Sequence, residues 1–119
     1  MSNTKHEIHE RTYQFILKVL RFIKKLPKTY ENQILIGQLI RALTSVGAND
    51  QEADGTFTRA DFIHCYTIVR KEGKESVFWI RLLGDTNPQF KEEAQGLITE
   101  GEEITSIVTS IIFSAKKKS

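Results

Sequence analysis

Polar residues that could do chemistry recur along one side of the second predicted helix. Four of them follow one another at intervals of four, four and three residues: Arg41, Ser45, Asn49 and Glu52. This spacing places them on one helix face. Glu75 of the next helix is expected to meet them across the hairpin, with Arg70 or Arg81 beside it. Such a cluster either fixes the register of the two helices through hydrogen bonds or contacts a ligand or subunit.

The other chemistry-bearing residues do not complete a metal or catalytic site. A di-metal carboxylate bundle needs a glutamate on two helices and a Glu-x-x-His motif on each of the others. Asp61 and His64 supply one related pair, whereas the second and fourth predicted helices contain no histidine. His6 and His9 lie near the start of the chain, where we expect solvent exposure. Cys65 points about 100° away from its neighbour His64 around the helix, so the sequence predicts no catalytic, cofactor or metal site.

Two further groups of residues indicate contacts with other molecules. The first is a basic set on the first predicted helix and its end, for which we expect a nucleic-acid or subunit contact: Lys18, Arg21, Lys24, Lys25 and Lys28. A solvated helix face is the alternative. The second group is Phe78 with Trp79. Because neighbours on a helix cannot both face the core, one of the two is expected to turn outward and contact another subunit.

The composition is typical of one soluble globular domain. The chain has 119 residues, with 17 basic and 15 acidic side chains and a formal net charge of +2. This length predicts a single domain over residues 1–119, and the small net charge does not by itself indicate a nucleic-acid or membrane partner. One cysteine excludes an intrachain disulfide and a zinc site of several thiolates. Since there is no membrane-spanning stretch and no signal-peptide pattern, we expect a cytoplasmic protein.

Apolar residues recur every three or four positions along four segments, which predicts four helices. Their expected bounds are about 5–26, 30–54, 58–83 and 88–115. Thr58 and Asp61 have the spacing of a capping box at a helix start. Asn87 before Pro88 is typical of a helix N-cap, and Gly55 is expected to take a left-handed conformation after the second helix. Short loops between long amphipathic helices predict an all-α, antiparallel up-down-up-down four-helix bundle.

Several segments carry a resemblance to a known family. Residues 40–55 read IRALTSVGANDQEADG and residues 70–82 read RKEGKESVFWIRL, with LPK at 26–28 and DFIH at 61–64. They resemble the bacterial four-helix bundle proteins related to the 23S rRNA intervening-sequence proteins. The resemblance implies a left-handed antiparallel bundle that assembles as a ring, typically a homopentamer. A related branch, the accessory variability proteins of diversity-generating retroelements, resembles a basic nucleic-acid adaptor, whereas this chain is nearly neutral.

The sequence leaves three functional hypotheses. The first is a non-enzymatic homo-oligomeric bundle that acts as an assembly or adaptor module, with RNA or a ribonucleoprotein as its partner. It rests on the resemblance and on the basic first helix. The second is a purely structural protein–protein interaction module without nucleic acid. The third is an enzyme or metal protein that uses the polar cluster around Glu52 and Glu75, and the missing histidines weigh against it.

Overall fold

Four long helices account for nearly all of the described chain. The structure is a computed structural model that describes residues 4–118, with side chains from residue 7 onward. The helices are α1 (Thr4–Lys25), α2 (Tyr30–Ala53), α3 (Arg59–Thr86) and α4 (Lys91–Lys117), and a 3₁₀ turn at Pro88–Phe90 precedes α4. Within residues 4–118 there is no strand. The predicted all-α class with four helices is therefore confirmed, and the left-handed sense of the bundle stays a prediction.

Threonine side chains cap the starts of α2 and α3. Thr58 Oγ accepts a hydrogen bond from Asp61 N at 3.1 Å, and Thr29 caps α2 in the same way. The predicted helix start at Thr58 is therefore confirmed. The turn after α2 differs from the expectation, because no glycine of the described chain has a positive φ. Gly55 N instead donates to Glu52 O at 3.0 Å, so this turn closes without a left-handed residue.

The boundary between the third and fourth helices differs from the prediction by a few residues. Helix α3 continues through Gly84 to Thr86. Gly84 does not end the helix but allows α4 to pack closely against it. A Cβ at this position would lie 2.6 Å from the Cβ of Ala94 on α4. Asn87 forms no side-chain cap hydrogen bond, since its side chain is buried and bonds to Asn32 instead. Long-range packing therefore overrides both local signals.

The core runs along the inward faces of all four helices. Its most deeply buried apolar side chains are Val19, Phe22, Leu39, Leu43, Tyr66, Ile80, Leu83 and Val108. Helix α3 packs closely against α2 and α4, whereas α1 packs less closely against its neighbours. A glycine permits one close approach, because a Cβ on Gly101 would lie 2.7 Å from Val77 Cγ2. Helix α1 reaches the same place with the large side chain of Phe15.

Contacts between α1 and α4 run in opposite directions along the chain. Arg11 meets Glu100, whereas Lys25, the last residue of α1, meets Glu93 in the first turn of α4. The two helices are therefore antiparallel. The same opposite order holds for the contacts of α2 with α3. This order fits the predicted up-down-up-down arrangement, and the bundle measures 49 × 24 × 18 Å along its principal axes.

Candidate functional site

The predicted polar cluster forms in part, around Arg41 of α2. Arg41 Nη2 donates to Glu75 Oε1 of α3, and Arg41 Nη1 lies 3.8 Å from Glu72 Oε1. Trp79 Nε1 also donates to Glu75 Oε1, at 3.3 Å. The hydrogen bond from Trp79, and after it that from Arg41, lowers the pKa of Glu75 against the opposing effect of burial. Glu75 is thus a charged acceptor that links α2 to α3.

The remaining members of the predicted cluster lie along α2 away from Glu75. Asn49 Nδ2 donates to Ser45 O at 3.0 Å and to Ser45 Oγ at 3.3 Å, both within the same helix. Glu52 is exposed near the end of α2. It lies eleven residues beyond Arg41, which is about 16 Å farther along the helix axis. Glu52 and Glu75 are therefore too far apart to act as an acid–base pair.

A second polar cluster lies where α1, α2 and α3 meet, and the sequence analysis did not predict it. His9 Nδ1 donates to Asp50 Oδ2 at 2.7 Å, and Tyr66 Oη donates to Asp50 Oδ1 at 2.9 Å. Asp50 and Tyr66 are buried, and the His9 side chain is only 13% exposed. The expected exposure of His9 is therefore wrong, because this part of α1 packs against α2. The side chain of His6 lies outside the described residues.

Burial determines the chemistry of this second cluster. Removal from solvent, and then the neighbouring Asp50, raises the pKa of Tyr66, so the phenol stays protonated and donates. His9 Nε2 lies 3.4 Å from Asp54 Oδ1 on the outer side. Because Asp50 is 2% exposed, the cluster joins three helices and does not present its carboxyl group to a substrate.

The opposite end of the bundle holds a buried amide pair. Asn32 Nδ2 donates to Asn87 Oδ1 at 2.9 Å, and Asn87 Nδ2 donates to Asn32 Oδ1 at 3.0 Å. The same two nitrogens donate to the backbone, Asn32 to Pro27 O at 2.8 Å and Asn87 to Leu83 O at 2.9 Å. The pair therefore ties the loop between α1 and α2 to the end of α3 without an ionisable group.

The basic set of α1 is partly matched by acidic residues of α4. Lys25 Nζ lies 2.7 Å from Glu93 Oε2. The other members of the set are exposed and form no ion pair within residues 4–118: Lys18, Arg21, Lys24 and Lys28. The sequence analysis did not predict a second pairing, in which Arg11 bonds to Glu100 at 2.8 Å and to Glu103 at 2.6 Å. The hydrogen bond from Arg11 lowers the pKa of Glu100 despite partial burial.

A shallow groove of about 480 Å³ lies between α1 and α4. It is lined by basic residues of α1, acidic residues of α4 and two uncharged residues of α4: Lys18, Arg21, Lys25, Glu93, Glu100, Gly96 and Leu97. A Cβ on Gly96 would meet nothing within 4 Å. The groove thus has one basic wall, one acidic wall and an open position at Gly96.

Phe78 and Trp79 divide between the surface and the interior, as predicted. Phe78 is 54% exposed, whereas Trp79 is half-buried against the core. Their rings contact edge to face with centroids 5.0 Å apart. The other large apolar side chains on the surface are Tyr13, Tyr30, Ile34, Ile40, Phe57 and Phe113. The outward aromatic residue is therefore Phe78, and its contact with another subunit stays a prediction.

The described residues offer little support for metal or nucleophilic chemistry. Among them, no three histidine, cysteine, aspartate or glutamate side chains converge as metal ligands would. Cys65 is buried, and burial raises the pKa of its thiol, which disfavours the reactive thiolate. Over the same part of the chain, no helix combines the length and the apolar character that crossing a membrane requires.

Comparison with known proteins identifies the family of this chain. The model of the 23S rRNA-intervening sequence protein family matches residues 4–110. The chain belongs to that family. Among solved structures, a protein with unknown function from the S23 ribosomal protein family of Bacteroides thetaiotaomicron is 28% identical with a TM-score of 0.82. The match covers 92% of this chain and 97% of that chain. No curated protein matches this chain.

Membership of the 23S rRNA-intervening sequence protein family confirms the resemblance carried by residues 40–55 and 70–82. It does not supply a function, because the family description names no activity and the structural neighbour is described as having unknown function. This 23S rRNA-intervening sequence protein has three surfaces that a partner could contact. Those surfaces are the exposed apolar side chains, the α1–α4 groove and the exposed cations of α1.

Proposed function

We propose that this chain is a non-enzymatic module that assembles into a homo-oligomer and acts as an adaptor, with RNA or a ribonucleoprotein as its partner. The observation that carries the proposal is the exposure of large apolar side chains outside the core, among them Tyr30 at 76%, Phe78 at 54% and Ile34 at 49%. Burial of such side chains between subunits favours association. A homopentamer is the expected assembly, and this number comes from the family resemblance.

Four of the exposed apolar side chains lie on α2 and α3: Tyr30, Ile34, Ile40 and Phe78. Tyr30 and Ile34 are four residues apart on one face of α2, which places them next to each other on the surface. Arg41 of α2 contacts Glu75 of α3, and the two helices are antiparallel. Along the bundle axis, Phe78 is therefore displaced from this contact in the same direction as Ile34. A grouped apolar surface supports a subunit contact better than isolated apolar residues do.

Light scattering at micromolar concentration tests the assembly. The expected mass is several times the 13.7 kDa of the chain, and five times that value for a homopentamer. The mass should persist in high salt if apolar burial dominates, because salt screens only the charged contacts. A mass of 13.7 kDa over the whole concentration range would contradict the proposed function.

A specific observation supports RNA as the partner of the assembly. Arg21, Lys24 and Lys28 are exposed, and within the described residues none of them forms an ion pair. An oligomer repeats these cations in every subunit, so individually weak phosphate contacts add through avidity. A purely structural assembly without nucleic acid is the second candidate. It is favoured to the extent that Lys25 already pairs with Glu93 within the chain and so offers less charge to a phosphate.

Fluorescence anisotropy with a labelled, structured RNA separates these two candidates. Binding is expected at 50 mM salt and should weaken steeply toward about 200 mM, because phosphate contacts release counterions. The triple variant Arg21→Glu, Lys24→Glu and Lys28→Glu should abolish binding while the oligomer mass stays unchanged. Absence of binding by the wild-type protein at 50 mM salt would favour the purely structural assembly.

A matched variant controls for the change in net charge. It reverses three exposed cations of α3: Arg59, Arg70 and Lys71. This variant has the same net charge as the α1 variant and should retain most of the RNA affinity. Equal losses in both variants would show that general charge attraction, rather than the α1 surface, binds the RNA.

A further inference from the structure

We propose that the α1 surface binds an unpaired stretch of RNA and that Tyr13 stacks on a guanine base of that stretch. This inference rests on the proposed function and names the kind of RNA that the exposed cations of α1 would hold. Its evidence is the arrangement of three features along one side of α1. They are the cations themselves, an exposed aromatic ring and a small polar pocket, and each suits a different part of a nucleotide.

The aromatic ring of Tyr13 lies on the same side of α1 as Lys24. Eleven residues separate the two, and eleven steps of about 100° complete three turns with only about 20° left over. The rise between them is about 16 Å. Tyr13 is 55% exposed, and Lys24 is exposed and forms no ion pair within residues 4–118. The ring and the cation therefore face the same solvent, a few nucleotides of an extended strand apart.

The cations on the far side of Tyr13 are placed to contact phosphates. Arg21 lies three residues before Lys24, about 4.5 Å along the helix axis, and Lys28 follows in the loop to α2. This spacing offers cations to successive phosphates of one strand. Phosphate contacts position a nucleic acid but do not read its bases. A choice between paired and unpaired RNA therefore has to come from a group that contacts a base.

An exposed aromatic ring on a helix selects unpaired bases. In an RNA duplex the bases stack on one another, and the narrow major groove keeps side chains away from their edges. An aromatic side chain can therefore stack only on a base of a single strand, a loop or a bulge. Tyr13 supplies such a ring in line with Lys24. The α1 surface should consequently prefer a single strand to a duplex, although the duplex carries more charge.

A pocket of about 360 Å³ beside this ring has room for the edge of the stacked base. It lies between the first half of α1 and the end of α2, and it is lined by His9, Glu10, Tyr13, Gln51 and Asp54. The hydrogen bond from His9 to Asp50 holds one wall of the pocket in place. Its two lining carboxylates repel phosphate. The backbone of the strand therefore stays with the cations, and the base enters the pocket.

The polar groups of this pocket match the edge of guanine. A carboxylate, from Glu10 or Asp54, offers two acceptor oxygens side by side, and the amide of Gln51 can donate. The Watson–Crick edge of guanine presents two adjacent donors, N1–H and the N2 amino group, next to the acceptor O6. Uracil has one donor between two acceptors, and adenine and cytosine each place one donor beside an acceptor. Among the four bases, guanine alone gives a carboxylate two hydrogen bonds.

Binding by the wild-type protein tests the kind of RNA without any substitution. The probes are labelled strands of about 12 nucleotides, made of uridine with one central guanosine or inosine, and the guanosine strand annealed to its complement. Fluorescence anisotropy at about 50 mM salt measures the affinities. The guanosine strand should bind at least about fivefold tighter than the inosine strand, because inosine lacks the N2 amino donor. It should also bind tighter than the duplex.

Substitutions in the pocket separate stacking from base recognition. Tyr13→Ala should weaken binding of the guanosine strand about 5- to 100-fold, whereas Tyr13→Phe keeps the ring and should retain most of the affinity. Phe113→Ala removes another exposed ring, at 59% exposure on α4, and should leave the affinity unchanged. The double variant Glu10→Gln and Asp54→Asn should bring the guanosine and inosine strands to nearly equal affinity. Thermal unfolding and light scattering check the fold and the oligomer mass.

The outcomes distinguish this inference from the proposed function. A wild-type protein that binds neither these strands nor a structured RNA would contradict the RNA partner itself. A protein that binds structured RNA but binds the duplex as tightly as the guanosine strand, or the inosine strand as tightly, would overturn this inference alone. An unchanged affinity in Tyr13→Ala would do the same. The comparison of strands needs only the wild-type protein, so it decides the question even if a variant fails to fold.

Discussion

The two ends of the bundle bury polar side chains in two different ways. At the end where α2 turns into α3, Asp50 accepts hydrogen bonds from His9 and Tyr66. At the other end, Asn32 and Asn87 bond to each other and to two backbone carbonyls. Buried polar groups cost free energy unless they are paired. The first end depends on one ionisable acceptor that is shared by three helices. The second end divides its hydrogen bonds over two neutral amides. We therefore expect different substitutions, and a different response to pH, to destabilise the two ends.

The largest effect is expected at the Asp50 end. Asp50→Ala removes the acceptor of both His9 and Tyr66, and it leaves their buried donors unpaired. We expect the free energy of unfolding to fall by about 2–6 kcal/mol, because each of the two buried donors left unsatisfied costs about 1–3 kcal/mol. Urea unfolding followed by circular dichroism measures this change. Asp50→Asn, which keeps the shape and one acceptor oxygen, should lose less, and an equal loss in both variants would contradict the hydrogen-bonded cluster.

A smaller effect is expected at the amide end. Asn32→Ala leaves the buried Asn87 amide and the carbonyl of Pro27 without their partner, which should lower the free energy of unfolding by about 1–3 kcal/mol. Gln33→Ala, at the exposed neighbouring position, is the matched control and should stay within about 0.5 kcal/mol of the wild type. If the two variants unfolded at the same urea concentration, the amide pair would contribute nothing.

Alkaline pH should distinguish the two ends directly. The folded protein raises the pKa of Tyr66, whereas the phenol of an unfolded chain ionises near pH 10. The stabilisation is therefore complete below about pH 10 and is lost as pH rises further, by up to about 1.4 kcal/mol for each pH unit. Tyr66→Phe should remove this part of the pH dependence. Asn32→Ala should retain it, and identical alkaline profiles for Tyr66→Phe and wild type would contradict the assignment.

The smallest effect is expected for the surface pair between α1 and α4. Arg11 lowers the pKa of Glu100, so the pair stabilises the fold above about pH 4.3, the ordinary pKa of glutamate. The contribution is lost as pH falls below that value through the lowered pKa. Because both side chains are partly exposed, Glu100→Gln should cost about 0.5–1 kcal/mol at neutral pH and little at pH 3. A loss of equal size at both pH values would mean that packing, rather than charge, is responsible.

The positions of the helices could be predicted because their signals are local. The start of α3 depends on Thr58 and Asp61, which are three residues apart, and apolar spacing follows along each helix. The end of α3 could not be predicted in the same way. Glycine often ends a helix, but the lack of a side chain at Gly84 here allows Ala94 of α4 to pack closely against α3. A local sequence pattern contains no information about this contact.

The candidate site was predicted less completely than the fold. Arg41 and Glu75 meet as expected, because a short loop between antiparallel helices restricts their register. Asp50 and Asn32 were missed although each is buried four residues from an apolar position of α2, Val46 and Ile36 respectively. That spacing signals burial. It does not identify the partner, since His9 and Asn87 come from distant segments whose register depends on the packing of the whole bundle.

The placement of α1 has a consequence for protein synthesis. Phe15 packs beside Gly101, and 86 residues separate the two positions in the chain. At a typical elongation rate the ribosome needs roughly 4 to 17 s to add them. During that interval α1 has no α4 to cover its apolar face, and α2 is the first partner that emerges. Nascent chains of this protein should therefore be substrates for ribosome-associated chaperones until α4 has left the exit tunnel.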